Sequence, residues 1–162
     1  DYHRIYGLRS VGLRQSCIYG PRQVGVEDQG WVAWMIIAAQ TGKPISIYGD
    51  GKQIRDLLYV YDLADAYDAA IRNIDQVQGQ VFTLGGGSEN TMAIWTEFGP
   101  RLEKLLGRPV PVTHGDWRPG DQKVFVADIR KAQHLLGWKP KYSVENGIKQ
   151  LFDWVSENKD LF

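Results

Sequence analysis

Residues 45–62, ISIYGDGKQIRDLLYVYD, constrain the fold more than any other stretch. Ile45-Ser46-Ile47-Tyr48 reads as a short apolar strand, and Gly49-Asp50-Gly51 leaves it through a tight turn of the kind glycine permits. Leu57-Leu58-Tyr59-Val60 then runs into a helix start at Asp62. Between the turn and that run stands Arg55. A guanidinium is a planar fork of donors with a permanent charge, and beside a turn rich in free backbone N–H groups it suits a phosphate. A surface pair between Arg55 and Asp56 is the plainer alternative, and such pairs contribute little.

The remaining chain alternates strand and helix signals, which predicts an α/β fold. Residues 11–18 (VGLRQSCI) read as one strand, ended by Gly20-Pro21, and 23–29 as a polar loop. From Gly30 to about Gln40, Trp31, Val32, Trp34, Met35, Ile36 and Ile37 are too widely spread for one stripe, so this helix is expected to be buried on more than one side. Asp62 is expected to cap the next helix, whose stripe is Leu63, Ala66, Tyr67, Ala70 and Ile71. Val81–Leu84 reads as a strand leaving through Gly85-Gly86-Gly87. Asn90 or Thr91 would cap a helix carrying Ile94, Trp95 and Phe98, interrupted at Gly99-Pro100. Val110 and Val112 suggest an edge strand, Asp128 starts a helix, and Ser143 caps the last one. Trp31, Trp34, Trp95 and Trp154 are read as core.

Composition excludes several classes of function. With 162 residues the chain can bury a real core, and 19 basic against 19 acidic side chains leave no net charge. Binding to nucleic acid through bulk electrostatics is therefore not expected. Cys17 is the only cysteine, which forbids an internal disulfide or a cysteine metal site and suits a reducing, cytoplasmic setting. No apolar run reaches membrane-spanning length, and DYHRIYG is no signal peptide. Tyr2, Ile5 and Leu8 look like the tail of an amphipathic helix whose beginning is absent.

Few residues carry chemistry. The triple glycine follows a strand as phosphate loops do, but it lacks G-x-G-x-x-G spacing and is better read as a structural turn. His3, His114 and His134 have no partners at ligand spacing, so no metal site is expected. Ser16 sits at a strand end, where α/β proteins place ligand contacts, without the surroundings of a serine nucleophile. Asp116-Trp117-Arg118-Pro119-Gly120-Asp121 sets an arginine and a carboxylate on one turn beside an aromatic ring. Arg118 suits a second phosphate and Asp121 a sugar hydroxyl; an exposed turn with an internal ion pair is the alternative.

In sequence and order, RQSCIYGPRQ, EDQGWVAW, YGDGKQIRDLLYVYDLADAY, TLGGG and DWRPGDQKVFVADIRKAQHLLGWKP resemble the C-terminal half of the extended short-chain dehydrogenase family, within it the nucleotide-sugar epimerases and dehydratases. DQGWV and DWRPGDQKV are most similar to the CDP-paratose 2-epimerase branch. The resemblance implies the last strands of a Rossmann-type sheet plus the C-terminal substrate-binding lobe. Residues 1–44 would be the tail of the nucleotide-binding domain with part of that lobe, and 45–162 mainly the lobe, with strand 81–84 returning to the sheet.

The resemblance also implies roles. Arg55 of Q-x-R-D grips the diphosphate, with Gln53 beside it among the substrate contacts. Arg118 of R-P-G-D adds a second grip, and Asp121 meets the ribose. Ile45, Ile47 and Tyr48 pack along the base, while Ser16, Cys17 and Ile18 face sugar and nicotinamide. Family members hold NAD with a G-x-x-G-x-x-G turn, which does not occur here, and handle the proton with a Tyr-x-x-x-Lys pair; the one such spacing in this sequence, Tyr48 to Lys52, spans the Gly49-Asp50-Gly51 turn and is not read as that pair. The expectation is therefore a CDP-sugar-binding half, with no catalytic residue and no cofactor of its own, NAD belonging to the full-length family. A stand-alone, non-catalytic nucleotide-binding or self-associating module is the alternative. The expected partners are a nucleotide sugar and either a second copy, paired through strand 11–18, or a complementing N-terminal half.

Overall fold

The computed structural model describes residues 1–162, and it is a mixed α/β structure built from three small sheets. A short helix α1 (Tyr2–Tyr6) precedes β1 (Gly12–Gln15) and β2 (Cys17–Tyr19). Helix α2 (Trp31–Thr41) follows, then β3 (Ile45–Tyr48), β4 (Ile54–Tyr59), α3 (Val60–Arg72), α4 (Ile74–Val77) and β5 (Val81–Leu84). The second half holds β6 (Thr91–Ala93), α5 (Phe98–Leu106), β7 (Val112–Gly115), β8 (Val124–Phe125), α6 (Arg130–Leu136) and α7 (Val144–Glu157).

What reads as one strand over 11–18 is divided at Ser16. β1 pairs in parallel with β5, Gly12 opposite Val81, whereas β2 pairs in parallel with β4, Cys17 opposite Leu57. The chain thus steps from one sheet to another within a few residues. The far edge of β1 has no strand beside it.

β4 organises the interior. Asp56, Leu57, Leu58 and Tyr59 are all buried, as in a strand covered on both faces. Leu57 and Tyr59 enter a core with α2, β3, α5 and α7, while Leu58 enters a second core with α3, β5 and α6. α2 is buried on most of its circumference, as its spread of apolar residues predicts. It ends where Gly42 takes φ 73 and donates its N–H to the Ala38 carbonyl.

Several local expectations fail, each for a tertiary reason. α3 begins at Val60 rather than at Asp62, and the Asp62 carboxylate caps no helix. It is wholly buried and accepts instead from the backbone N–H groups of Lys141 (2.8 Å) and Tyr142 (3.1 Å), pinning a distant turn. Residues 91–93 form β6, antiparallel to the start of β4, so the helix begins only at Phe98. Pro100 therefore falls in the first turn, where its missing N–H costs no hydrogen bond, and no kink arises. Ser143 does cap α7, accepting from the Asn146 N–H at 3.3 Å. Among the tryptophans, Trp138 is the most deeply buried; Trp31, Trp34, Trp95 and Trp154 are only partly covered and pack against the first core.

Candidate functional site

Two loops remote in sequence meet because two strand pairs hold one of them at both ends. β7 pairs in parallel with β3, and Gly49 N–H donates to the Gly115 carbonyl at 3.0 Å, so residue 116 starts beside the Gly49–Gly51 turn. At its other end, β8 pairs with β4, placing Val124 opposite Ile54 and Phe125 opposite Arg55. The Trp117 ring packs directly on Gly49, where a Cβ would lie only 2.7 Å from it. With φ 78 as well, this position accepts glycine for two separate reasons.

The result is one cleft of about 220 Å³ lined by both Arg55 and Arg118. Arg55 is largely buried, and its Nη2 donates to Asp121 Oδ1 at 2.7 Å. Gln53, also buried, donates from Nε2 to the Tyr48 carbonyl (2.6 Å) and to Asp121 Oδ2 (3.2 Å), while its own Oε1 has no donor within the chain. Asp121 is thereby held by two side chains. Arg118 lies over the Tyr48 ring, 3.8 Å from its centroid, and pairs with Asp28 at 3.0 Å and more loosely with Glu27 at 3.8 Å. Tyr48, then Asp28 and Glu27, hold its guanidinium above the usual arginine range, so it stays charged. Tyr48 donates in turn to Glu27 Oε1 at 2.9 Å.

Arg55 and Asp56 do not form the surface pair that their adjacency allows. Successive strand residues point to opposite faces, and Asp56 is sealed on the far side, accepting from the Ser16 hydroxyl and from the Gly87 N–H. The same alternation sorts β3. Ile45 and Ile47 are buried in the core, whereas Ser46 and Tyr48 are half-exposed and line the cleft; Ile47 reaches its floor and Ile45 lies outside it. Ser16, Cys17 and Ile18 line a neighbouring cleft of about 260 Å³ that shares Gln29, Gly30 and Trp31 with the first. Burial pushes the Cys17 thiol up, which disfavours the thiolate.

Volume does not single out the arginine cleft. Hollows of about 570 and 590 Å³ lie elsewhere, one beside Gly86–Asn90 and one beside Val11 and Leu13. What marks the smaller cleft is convergent charge on an apolar floor of Trp34, Met35 and Ile94. Glu27, Asp28 and Ser46 belong to it and escape sequence reasoning; only Ser46 leaves a signal, the strand alternation of 45–48.

At Gly85 a Cβ would lie 2.2 Å from Asp56 Oδ2, and at Gly86 it would lie 2.2 Å from the Leu57 carbonyl. Both positions are thus closed to a side chain, as befits a structural turn.

Residues 1–85 match the NAD dependent epimerase/dehydratase family. The chain is 38% identical over 161 residues to the CDP-paratose 2-epimerase of Salmonella typhi, covering 96% of this chain and 47% of that protein. It is 34% identical to the UDP-glucuronate 4-epimerase of Thermodesulfobacterium geofontis, covering 99% of this chain and again 47% of that protein. Among solved structures, the UDP-glucose 4-epimerase of Thermotoga maritima with UDP-glucose superposes with a TM-score of 0.84 at 31% identity, over 96% of this chain and 48% of that one. A UDP-glucuronic acid 4-epimerase mutant of Bacillus cereus, in complex with NAD and a fluorinated UDP-sugar, superposes with a TM-score of 0.83 at 31% identity. The chain spans about half the length of the relatives it matches. By its sequence over residues 1–85 and by its fold, it belongs to the NAD dependent epimerase/dehydratase family.

Proposed function

We propose that this chain is the sugar-nucleotide-binding half of an NAD-dependent epimerase, and that its ligand is a CDP-sugar. One observation carries the reading: Arg55 on β4 and Arg118 on the loop between β7 and β8, far apart in sequence, line the same cleft. Two fixed guanidiniums match a diphosphate bridge, since each offers a planar pair of donors to phosphate oxygens. Asp121, oriented by Gln53 and Arg55, is a placed acceptor for a ribose hydroxyl. Ser16, Cys17 and Ile18 would face the sugar from the neighbouring cleft. The base is assigned as cytosine on the likeness of DQGWV and DWRPGDQKV to the CDP-sugar branch.

On this reading the chain alone does not invert a carbon. Hydride transfer needs NAD and a catalytic Tyr-x-x-x-Lys pair, and the one such spacing here, Tyr48 to Lys52, spans the glycine turn that leaves β3. The setting is cytoplasmic, which the single Cys17 supports. Titration calorimetry with CDP tests the binding claim: wild-type chain binds, Arg55→Ala and Arg118→Ala each weaken binding, and NAD gives no heat. Absence of CDP binding by the wild type would remove the nucleotide reading.

A second observation favours association. β1 has an open edge, and beside it lies an apolar groove of about 590 Å³ lined by Val11, Leu13, Tyr67, Ala70, Ile71 and Ile74. An unpaired strand beside exposed apolar surface is a seat for another chain, either a second copy or a complementing half of the fold. Mixing the chain with the N-terminal half of a relative and assaying CDP-sugar epimerisation tests the latter.

A further inference from the structure

The charges of the arginine cleft do not balance as a bare diphosphate site should. Three carboxylates, Glu27, Asp28 and Asp121, face two guanidiniums. A ligand bringing only phosphate oxygens would meet this acidic surplus as repulsion. One bringing hydrogen-bond donors as well would turn the same groups into acceptors. Asp121 is already committed to Arg55 and Gln53. Asp28 is an exposed partner of Arg118. Glu27 differs from both. The Tyr48 hydroxyl fixes its Oε1 at 2.9 Å, and its Oε2 has no hydrogen bond within the chain. Its second oxygen is thus an open acceptor beside Tyr48, the residue expected to pack along the base.

From this the geometry points to Glu27 as the residue that selects the base, accepting from the exocyclic amine of cytosine. Cytosine presents an N–H donor pair at the position where uracil and thymine present a carbonyl oxygen. A carboxylate there favours the first and repels the second, because the carbonyl would face a negative acceptor with no proton between them. Discrimination of about tenfold to a hundredfold is the usual scale for one well-made contact to a base edge. The inference rests on the diphosphate reading above and adds to it which side chain reads the base.

Calorimetry of the whole chain with CDP, UDP and dTDP, on wild type and Glu27→Gln, tests it. Glu27 lies on a surface loop, and circular dichroism of the variant checks that it stays folded. The wild type is expected to bind CDP at least about tenfold more tightly than UDP or dTDP. Glu27→Gln brings the three to similar affinity, while Arg55→Ala still weakens each of them. Equal affinities in the wild type, with Arg55 still required, overturn the assignment of Glu27 and leave the diphosphate site standing. An equal loss for all three ligands in Glu27→Gln also overturns it, since Glu27 would then only position Arg118. Failure of any nucleotide to bind overturns both readings together.

Discussion

Arg118 covers the Tyr48 ring at 3.8 Å from its centroid, and Tyr48 in turn holds Glu27, so three side chains from three segments form one stacked and hydrogen-bonded unit. Arg55 sits apart from that unit, tied to Asp121 and far less exposed. The two arginines should therefore respond differently to substitution. Arg55→Ala removes a partner from a carboxylate that is three-quarters covered, costing stability as well as nucleotide binding, about 1–3 kcal/mol by thermal or denaturant unfolding. Arg118→Ala should weaken binding with little change in the unfolding midpoint, because its ion pairs are exposed. Arg118→Lys should not restore binding, since lysine offers neither the fork nor the flat face.

Gly147 lies inside α7, where alanine would ordinarily favour the helix by up to about 1 kcal/mol. A Cβ there would come within 2.2 Å of the Tyr19 hydroxyl and 2.8 Å of the Tyr59 ring. Gly147→Ala should instead destabilise the chain by about 1–3 kcal/mol, read from denaturant midpoints. An unchanged or raised midpoint would show that the two tyrosines yield without cost.

The same aromatic cluster sets the alkaline limit. Burial first, then Tyr61, Tyr142 and Asp62, push the Tyr59 phenol up to about 12, and burial raises Tyr19 as well. An unfolded tyrosine ionises near pH 10, so between about pH 10 and 12 the folded chain keeps protons that the unfolded chain loses. This contribution to stability is complete below about pH 10 and disappears as pH rises through the folded value. Tyrosinate absorbance and near-ultraviolet circular dichroism should show these two tyrosines ionising together with unfolding. Their ionisation near pH 10 in a folded chain would contradict the buried arrangement.

Association through β1 can be read by sedimentation. The wild-type chain should run as a dimer or larger, and Ile71→Lys, which places a charge in the apolar groove at an exposed position, should shift it toward monomer. A monomeric wild type, with rapidly exchanging amides in β1, would leave that edge without a partner.

Much of the fold is legible in local pattern, and the failures share one cause. The breadth of apolar residues in α2 and the Ser143 cap are local signals, and both appear as read. β6 is not local: Thr91–Ala93 become a strand because Ile54–Asp56 lie opposite them, and nothing within residues 90–98 announces that pairing. Asp62 sits where a helix cap is expected, yet its carboxylate answers to Lys141 and Tyr142. Arg55 and Arg118 could be nominated because Q-x-R-D and R-P-G-D are motifs of the family that the chain resembles. Glu27 could not, since a carboxylate in a polar loop looks like any other until Tyr48 is found against it.

Leu57 and Leu58, neighbours on β4, are anchored in different cores. Neither layer can therefore loosen alone without pulling on the strand that the other still grips, which ties both halves of the interior to a single melting event. Arg55 rides on that shared strand. Its guanidinium is carried by the backbone expected to exchange its amide hydrogens last, so the geometry presented to an incoming anion is set before the anion arrives.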